Sequence, residues 1–549
     1  MGSVLIREIR AKKNKKTMIE RKLLLGDEAI ALGAVHAGIS GVYAYPGTPS
    51  TEITEFIQGH APEVRSRWCT NEKTAMEAAL GMAYAGKRAL VCMKHVGMNV
   101  AADAFVNSAI TGVNGGLVVL AADDPSMHSS QNEQDSRFYG KFSLLPILEP
   151  STQQEAYDMM AYAYALSEEL KLPVLMRVVT RLAHSRAGVV VKEPLAQNAL
   201  NPETDRTHWV LLPANARRQY ASLVAKQPTL VASSEASSYN KLITHNSELK
   251  TQKLGVIACG IAYNYVMENN PQELGIPVLK VSQYPIPETA IKALAEQCES
   301  LLIAEDGQPL VEEQVKSILG ADYALKGRLT GDLPRMGELT PDSVGAALGV
   351  TIEQPYTAAQ NLMPRPPALC QGCGHRDVYD ALNKVAAEYE GARIFGDIGW
   401  YTLGALPPFR AIDSCVDMGA SITMAKGAAD AGVFPAIAVI GDSTFTHSGM
   451  TGLLDAINDN ANITVVISDN LTTAMTGGQD SAGTNKFEAI CLGLGLAPEH
   501  VRVVVPLPKN MEEITRIIRE EIEYKGVSVI IPRRECMQTL QRKLRNKKK

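Results

Sequence analysis

The stretch from Phe434 to Gln479 constrains the fold of this chain more than any other. An apolar run from Ala436 to Ile440 stops at Gly441-Asp442-Ser443, a helical pattern around Leu453, Leu454 and Ile457 follows, and a second apolar run from Ile463 to Ile467 stops at Asp469-Asn470. Short apolar runs bounded by turn residues and separated by a helical period read as strand, helix, strand. Such a crossover joins parallel neighbours. Asp442 and Asn470 should therefore both lie just past the carboxyl ends of adjacent strands, where open α/β sheets hold ligands. Each piece alone is better explained as a turn or a helix cap.

Together the two pieces bring a carboxylate and an amide oxygen to one crevice. That donor set suits a hard cation such as Mg²⁺, which keeps few protein ligands and takes the rest from phosphate and water. The expected site is a Mg²⁺-diphosphate centre with Asp442, Asn470 and Thr472 on the metal and Gly441 and Ser443 beside the phosphates. The pattern resembles the thiamine diphosphate motif, a Gly-Asp-Gly-like start closed by an asparagine after the next strand, with Ser443 in place of the last glycine.

At 549 residues the chain exceeds what one core supports and should hold about three or four domains. A net charge of −5 gives no reason to expect a nucleic-acid partner. No apolar run is long enough for a membrane span and no signal-peptide core is evident, so the expectation is a cytoplasmic protein. Nine cysteines, an odd and sparse set, argue for reduced thiols rather than a disulfide framework.

In chain order, residues 1–20 read as a basic extension and 21–190 as an α/β domain. Within it Leu23 to Ala37 suits a helix, Gly41 to Tyr45 a strand, and Pro46-Gly47-Thr48-Pro49-Ser50 a turn capping the next helix. Asn71-Glu72-Lys73 opens another helix. The run Ala89 to Met93 ends in a strand-end loop from Lys94 to Asn99, and Leu117 to Ala121 leads into Asp123-Asp124. Residues 191–250 read as a connecting segment and 251–348 as a middle α/β domain. Residues 349–369 form a Pro-rich linker, 370–540 a second ligand-binding α/β domain, and 541–549 a solvated basic tail.

Six segments stand in register: Tyr45–Ser50, Asn71–Lys73, Met93–Asn99, Cys370-Gln371-Gly372-Cys373-Gly374-His375-Arg376, Asp417-Met418-Gly419-Ala420-Ser421 and Gly441–Ser443. Together they resemble the α subunits of the indolepyruvate:ferredoxin oxidoreductase family, in the 2-oxoacid:ferredoxin oxidoreductase superfamily. The resemblance implies a multidomain thiamine diphosphate fold, with a pyrimidine-binding domain over 21–190 and a diphosphate-binding domain over 370–540, each a parallel sheet flanked by helices. It implies that Glu72 contacts the cofactor's aminopyrimidine and that Thr48 faces the substrate carbonyl. Lys94, His95 and Asn99 would line the same cleft, and Gly374, His375, Met418, Gly419 and Ala420 would approach the cofactor. Glu72 alone is also explained as an acidic residue favoured at a helix start, and Lys94-His95 as a pair with no catalytic duty.

Cys370 and Cys373 have metal-ligand spacing. The family uses such a pair with two distant cysteines for a [4Fe–4S] cluster, and Cys536 matches one of these. Trp400 stands where the other is usual, and Asp417 where relatives often carry one more cysteine, which leaves Cys415 as the alternative fourth ligand. Many relatives carry a C-terminal ferredoxin-like module; no cysteine follows Cys536 in this sequence, so the expectation is that electrons leave through a partner or a different route. The implied activity is oxidative decarboxylation of an aryl 2-oxoacid such as indolepyruvate to acyl-coenzyme A, with ferredoxin or another acceptor taking the electrons. The implied assembly pairs this chain with a smaller β subunit as α₂β₂. Two alternatives remain open on sequence: a non-oxidative 2-oxoacid decarboxylase or carboligase, and a non-catalytic scaffold.

Overall fold

The computed structural model describes residues 20–202, 204–205, 207–244, 252–352, 361–363 and 367–547, residues 546 and 547 by backbone alone. They form two compact units, 1–355 and 356–549. Residues 1–19 of the expected basic extension lie outside the described residues, as do parts of the expected Pro-rich linker and the end of the expected tail.

The first unit is built on a seven-stranded sheet in the order Gln283–Tyr284, Ile147–Leu148, Val174–Val179, Leu117–Asp123, Ala89–Lys94, Gly41–Ala44, Arg65–Trp68. Every pairing in it is parallel except that of the edge strand Gln283–Tyr284. Ala89–Lys94, Leu117–Asp123 and Val174–Val179 are buried along their whole length, which is why they read as continuous apolar runs. A five-stranded sheet follows, with Gly255–Cys259 between Val278–Val281 and Ser300–Ala304 in parallel, and Lys241–Ile243 antiparallel at its edge. One continuous apolar core runs from Ile30 to Leu348 and joins the two sheets.

The second unit carries a five-stranded, all-parallel sheet in the order Arg393–Gly396, Ala436–Gly441, Ile463–Ser468, Val527–Pro532, Val501–Val504. Ala436–Gly441 and Ile463–Ser468 are adjacent and parallel, with Gly441 opposite Ser468, so Asp442 and the Asp469-Asn470 turn leave the sheet side by side. The molecule is thus an α/β protein of parallel-rich sheets flanked by helices.

Four local expectations are corrected. Leu23–Leu25 is the end of a strand, Arg21–Leu25, antiparallel to Arg186–Val190, and the helix starts only at Gly26; its partner lies far along the chain, so no local pattern signals it. Lys94 closes a strand and His95 opens the helix His95–Thr111, so no loop intervenes. The expected connecting segment contains helices Pro213–Ala225 and Gln227–Glu235 as well as Lys241–Ile243. Residues 541–547 of the expected basic tail continue the helix Met537–Lys547.

Candidate active site

In the second unit Asp442 follows directly on Ala436–Gly441 and is 3% exposed. Its carboxylate accepts from its neighbour Ser443 N at 2.6 Å and from Thr472 N at 3.1 Å. The same Thr472 N–H donates to Asn470 Oδ1 at 3.1 Å, so the carboxylate and the side-chain amide oxygen converge on one backbone group. Burial, with Asp469 adding repulsion, pushes the Asp442 carboxyl up to about 7. Asp442 forms no ion pair among the described residues. Thr472 Oγ1 donates to Gln479 O, and Thr473 Oγ1 to Ser443 Oγ at 3.0 Å, which ties the two strand ends together. The helix after Asp442 passes through a π-helical turn, Phe445–Gly449, before Met450–Asn458, a feature frequent beside functional sites.

A residue that sequence reasoning missed organises the neighbouring loop. Asp397 is fully buried and accepts from Gly419 N at 3.1 Å and from Ser421 Oγ at 2.7 Å. It also takes the Tyr401 hydroxyl, and burial pushes its carboxyl up to about 7. These bonds hold Met418-Gly419-Ala420 at the start of the helix Ala420–Asp430. Gly419 has φ of +95°, and a Cβ there would stand 2.7 Å from Ser448 Cβ, so glycine is required. Its signal was available in Asp397-Ile398-Gly399 after a short strand, but the strand is too short to stand out.

A cavity of about 340 Å³ in this unit is lined by Gly374, His375, Trp400 and Asn470 together with Cys370, Cys373 and Cys536. Asp442, Gly441, Ser443 and the Met418–Ala420 loop are not part of that lining. Cys536 N donates to Asn470 O at 3.1 Å, which fixes the cysteine segment to the Asn470 turn. Cys373 Sγ lies 3.2 Å from His375 Nδ1, and burial raises the Cys373 thiol and lowers His375 to about 4. Cys415 is exposed and outside the lining. The cavity wall thus supplies three thiols and an indole, not the four thiolates of a [4Fe–4S] cluster.

In the first unit Glu72 opens the helix Glu72–Tyr84 and is 4% exposed. Asn71 caps that helix, its side chain accepting from Thr74 N at 2.9 Å. A Cβ on Gly97 would stand 2.6 Å from Glu72 Cγ, so the absence of a side chain there lets the glutamate lie against the helix His95–Thr111. Thr48 is half-buried in the turn after Gly41–Ala44, and Gly47 of that turn packs on Lys94. Lys94 Nζ donates to Ser129 O at 2.7 Å, and burial lowers its ammonium to about 8. His95 is fully buried with Nε2 3.3 Å from Asn132 Oδ1. Its Nδ1 has no hydrogen-bond partner among the described residues. Asn99 accepts from the Tyr139 hydroxyl at 2.5 Å.

The donor set at Asp442 and Asn470, a buried carboxylate without a protein counter-ion beside an amide oxygen, fits a divalent cation. A fold of parallel sheets with such a centre at adjacent strand ends belongs to the class of diphosphate-cofactor α/β proteins. Family comparison narrows it. Residues 32–234 match the family model described as pyruvate flavodoxin/ferredoxin oxidoreductase, thiamine diphosphate-binding. Residues 397–531 match the C-terminal thiamine pyrophosphate-binding domain of thiamine pyrophosphate enzymes. The chain is 38% identical to the indolepyruvate oxidoreductase subunit IorA of Archaeoglobus fulgidus, over 94% of this chain and 86% of that protein. Identity to the subunit IorA of Methanothermobacter marburgensis is 38% over 94% and 87%, and to that of Thermococcus kodakarensis 37% over 94% and 86%. The chain belongs to the thiamine diphosphate-dependent 2-oxoacid oxidoreductases, in the family of the IorA subunits. It is an oxidoreductase subunit rather than a scaffold.

Proposed function

We propose that this chain, with thiamine diphosphate and Mg²⁺, carries out oxidative decarboxylation of an aryl 2-oxoacid of the indolepyruvate type. The 2-oxoacid and coenzyme A become acyl-coenzyme A and CO₂, and the two electrons released go to ferredoxin or a similar one-electron carrier. A smaller β subunit completes an α₂β₂ assembly. The observation that carries the reading is the convergence of Asp442 and Asn470 Oδ1 on Thr472 N at adjacent strand ends.

Thiamine diphosphate, when bound, supplies the carbon nucleophile and the electron sink for loss of CO₂. Asp442, Asn470 and Thr472 would hold the Mg²⁺, and Gly441 and Ser443 would lie beside the diphosphate. Gly374, His375 and the Met418–Ala420 loop held by Asp397 shape the surroundings. Glu72 would meet the aminopyrimidine through its carboxyl group, and Gly97 leaves it room to do so. Thr48 would face the substrate carbonyl, and Lys94 and His95 would line the same cleft. Cys370, Cys373 and Cys536 are assigned no electron-carrying step.

A second reading, non-oxidative decarboxylation, is favoured by Trp400 in the cavity wall. The anaerobically purified complex of this chain with its β subunit, supplied with thiamine diphosphate, Mg²⁺, indolepyruvate, coenzyme A and ferredoxin or a viologen dye, separates the two. The first reading expects acyl-coenzyme A and reduced acceptor in proportion; aldehyde without reduced acceptor overturns it.

A further inference from the structure

Away from the groups described above, three side chains from three helices of the first unit meet. Asp27 comes from Gly26–His36, Glu52 from Thr51–His60 and His184 from Thr180–His184. One ligand atom from each lies within 4.8 Å of the others, and His184 Nε2 is 3.7 Å from Glu52 Oε2. Asp27 forms the floor, 0% exposed, with neither carboxylate oxygen hydrogen-bonded. Glu52 and His184 form the partly exposed rim.

A buried carboxylate with no donor beside a second carboxylate is strongly unfavourable unless a proton or a cation occupies the space between them. Burial and the Glu52 charge hold the Asp27 carboxyl well above its ordinary range, and Glu28 adds to this. The hydrogen bond and charge of Glu52 raise His184 above its ordinary value, so an ion bound here takes the place of the proton on its ring nitrogen. One imidazole nitrogen with two carboxylate oxygens is a donor set for a first-row transition ion rather than for Mg²⁺ or Ca²⁺, which take oxygen.

We propose that Asp27, Glu52 and His184 form a divalent transition-metal site separate from the cofactor's Mg²⁺. The ion enters past Glu52 and His184 and is held by Asp27 from below. It clamps the starts of the helices Gly26–His36 and Thr51–His60 to the end of Thr180–His184. The site is independent of the activity assigned above.

Mn²⁺ is the probe of choice, because Zn²⁺ would also be taken by Cys370, Cys373 and Cys536. Metal-stripped full chain, without thiamine diphosphate, is titrated with Mn²⁺, and free Mn²⁺ is followed by electron paramagnetic resonance. The expected result is a tightly bound Mn²⁺ whose affinity falls at least about 10–100-fold in Asp27→Asn and in His184→Gln, as loss of metal-supporting groups does. Asp442→Ala leaves that uptake unchanged. Asp27→Asn keeps the shape of the site, and His184→Gln changes a partly exposed side chain; circular dichroism checks that both fold. No uptake by the parent chain, or equal uptake by the parent and both variants, overturns the proposal. Asp27 is then a protonated acid sharing its proton with Glu52.

Discussion

Asp442 illustrates how one buried carboxyl can serve a ligand at the expense of the empty fold. It stays protonated up to about 7 in the folded chain without cofactor, whereas in the unfolded chain it ionises near the ordinary value of 3.8. Between these values the folded state binds more protons than the unfolded one, so this group's contribution to stability falls as pH rises from about 4 to about 7 and stays low above. Asp442→Asn removes the penalty. The variant's thermal midpoint without cofactor should gain on that of the parent as pH rises through that window, by a stability difference on the order of 1–4 kcal/mol at the top. Asp397 titrates in the same direction, and the paired comparison cancels it. In calorimetry the same variant should bind thiamine diphosphate with Mg²⁺ far more weakly; unaltered binding would remove Asp442 from the metal. At Gly97, an added methyl would press on Glu72 Cγ. Gly97→Ala should therefore lower turnover about 100-fold, as small misplacements of reacting groups do, while the thermal midpoint moves little.

At the scale of elements, the helix Glu72–Tyr84 begins where its cap begins. The reciprocal bonds between Asn71 and Thr74 satisfy N–H groups that the helix cannot, and they set where Glu72 emerges. Asn71→Ala should cost about 0.5–2 kcal/mol in denaturant unfolding and reduce turnover as well, because the first turn carries the glutamate. The terminal helix Met537–Lys547 presents Met537, Gln538, Thr539 and Arg542 to the cysteine-lined cavity, and Arg542 donates to Gly477 O at 2.6 Å. Removing residues 537–549 should expose Cys370 and Cys373, seen as faster labelling by a thiol reagent than in the intact chain.

Across the first unit as a whole, a fully buried ionic network joins the two sheets. Arg137 pairs with Asp135 and with Glu305, and Arg177 pairs with Asp123 and Glu149. Tyr284, on a strand that follows the middle sheet's Val278–Val281 yet adds to the edge of the seven-stranded sheet, donates to Glu149. With a continuous core beneath, the two sheets should unfold together. Breaking a buried pair leaves a charge without a partner, so Arg137→Leu should lower stability by about 3–5 kcal/mol. Calorimetry should show a single transition for both sheets moving down in temperature; a separate early transition of the five-stranded sheet alone would count against this coupling.

What the sequence determined by itself were the features whose cause is local. Apolar runs ending in turn residues announced the strands Ala436–Gly441 and Ile463–Ser468 and put Asp442 and Asn470 at their ends, and Asn71 announced a helix start. The order of short motifs was enough to identify the family. Tertiary structure alone decided what depends on partners distant in the chain: the pairing of Arg21–Leu25 with Arg186–Val190, the grip of Asp397 on Gly419, the gathering of Cys536 with Cys370 and Cys373, and the meeting of Asp27, Glu52 and His184. Periodicity records which side of an element is apolar; it carries no record of which polar group will face another once the chain has folded.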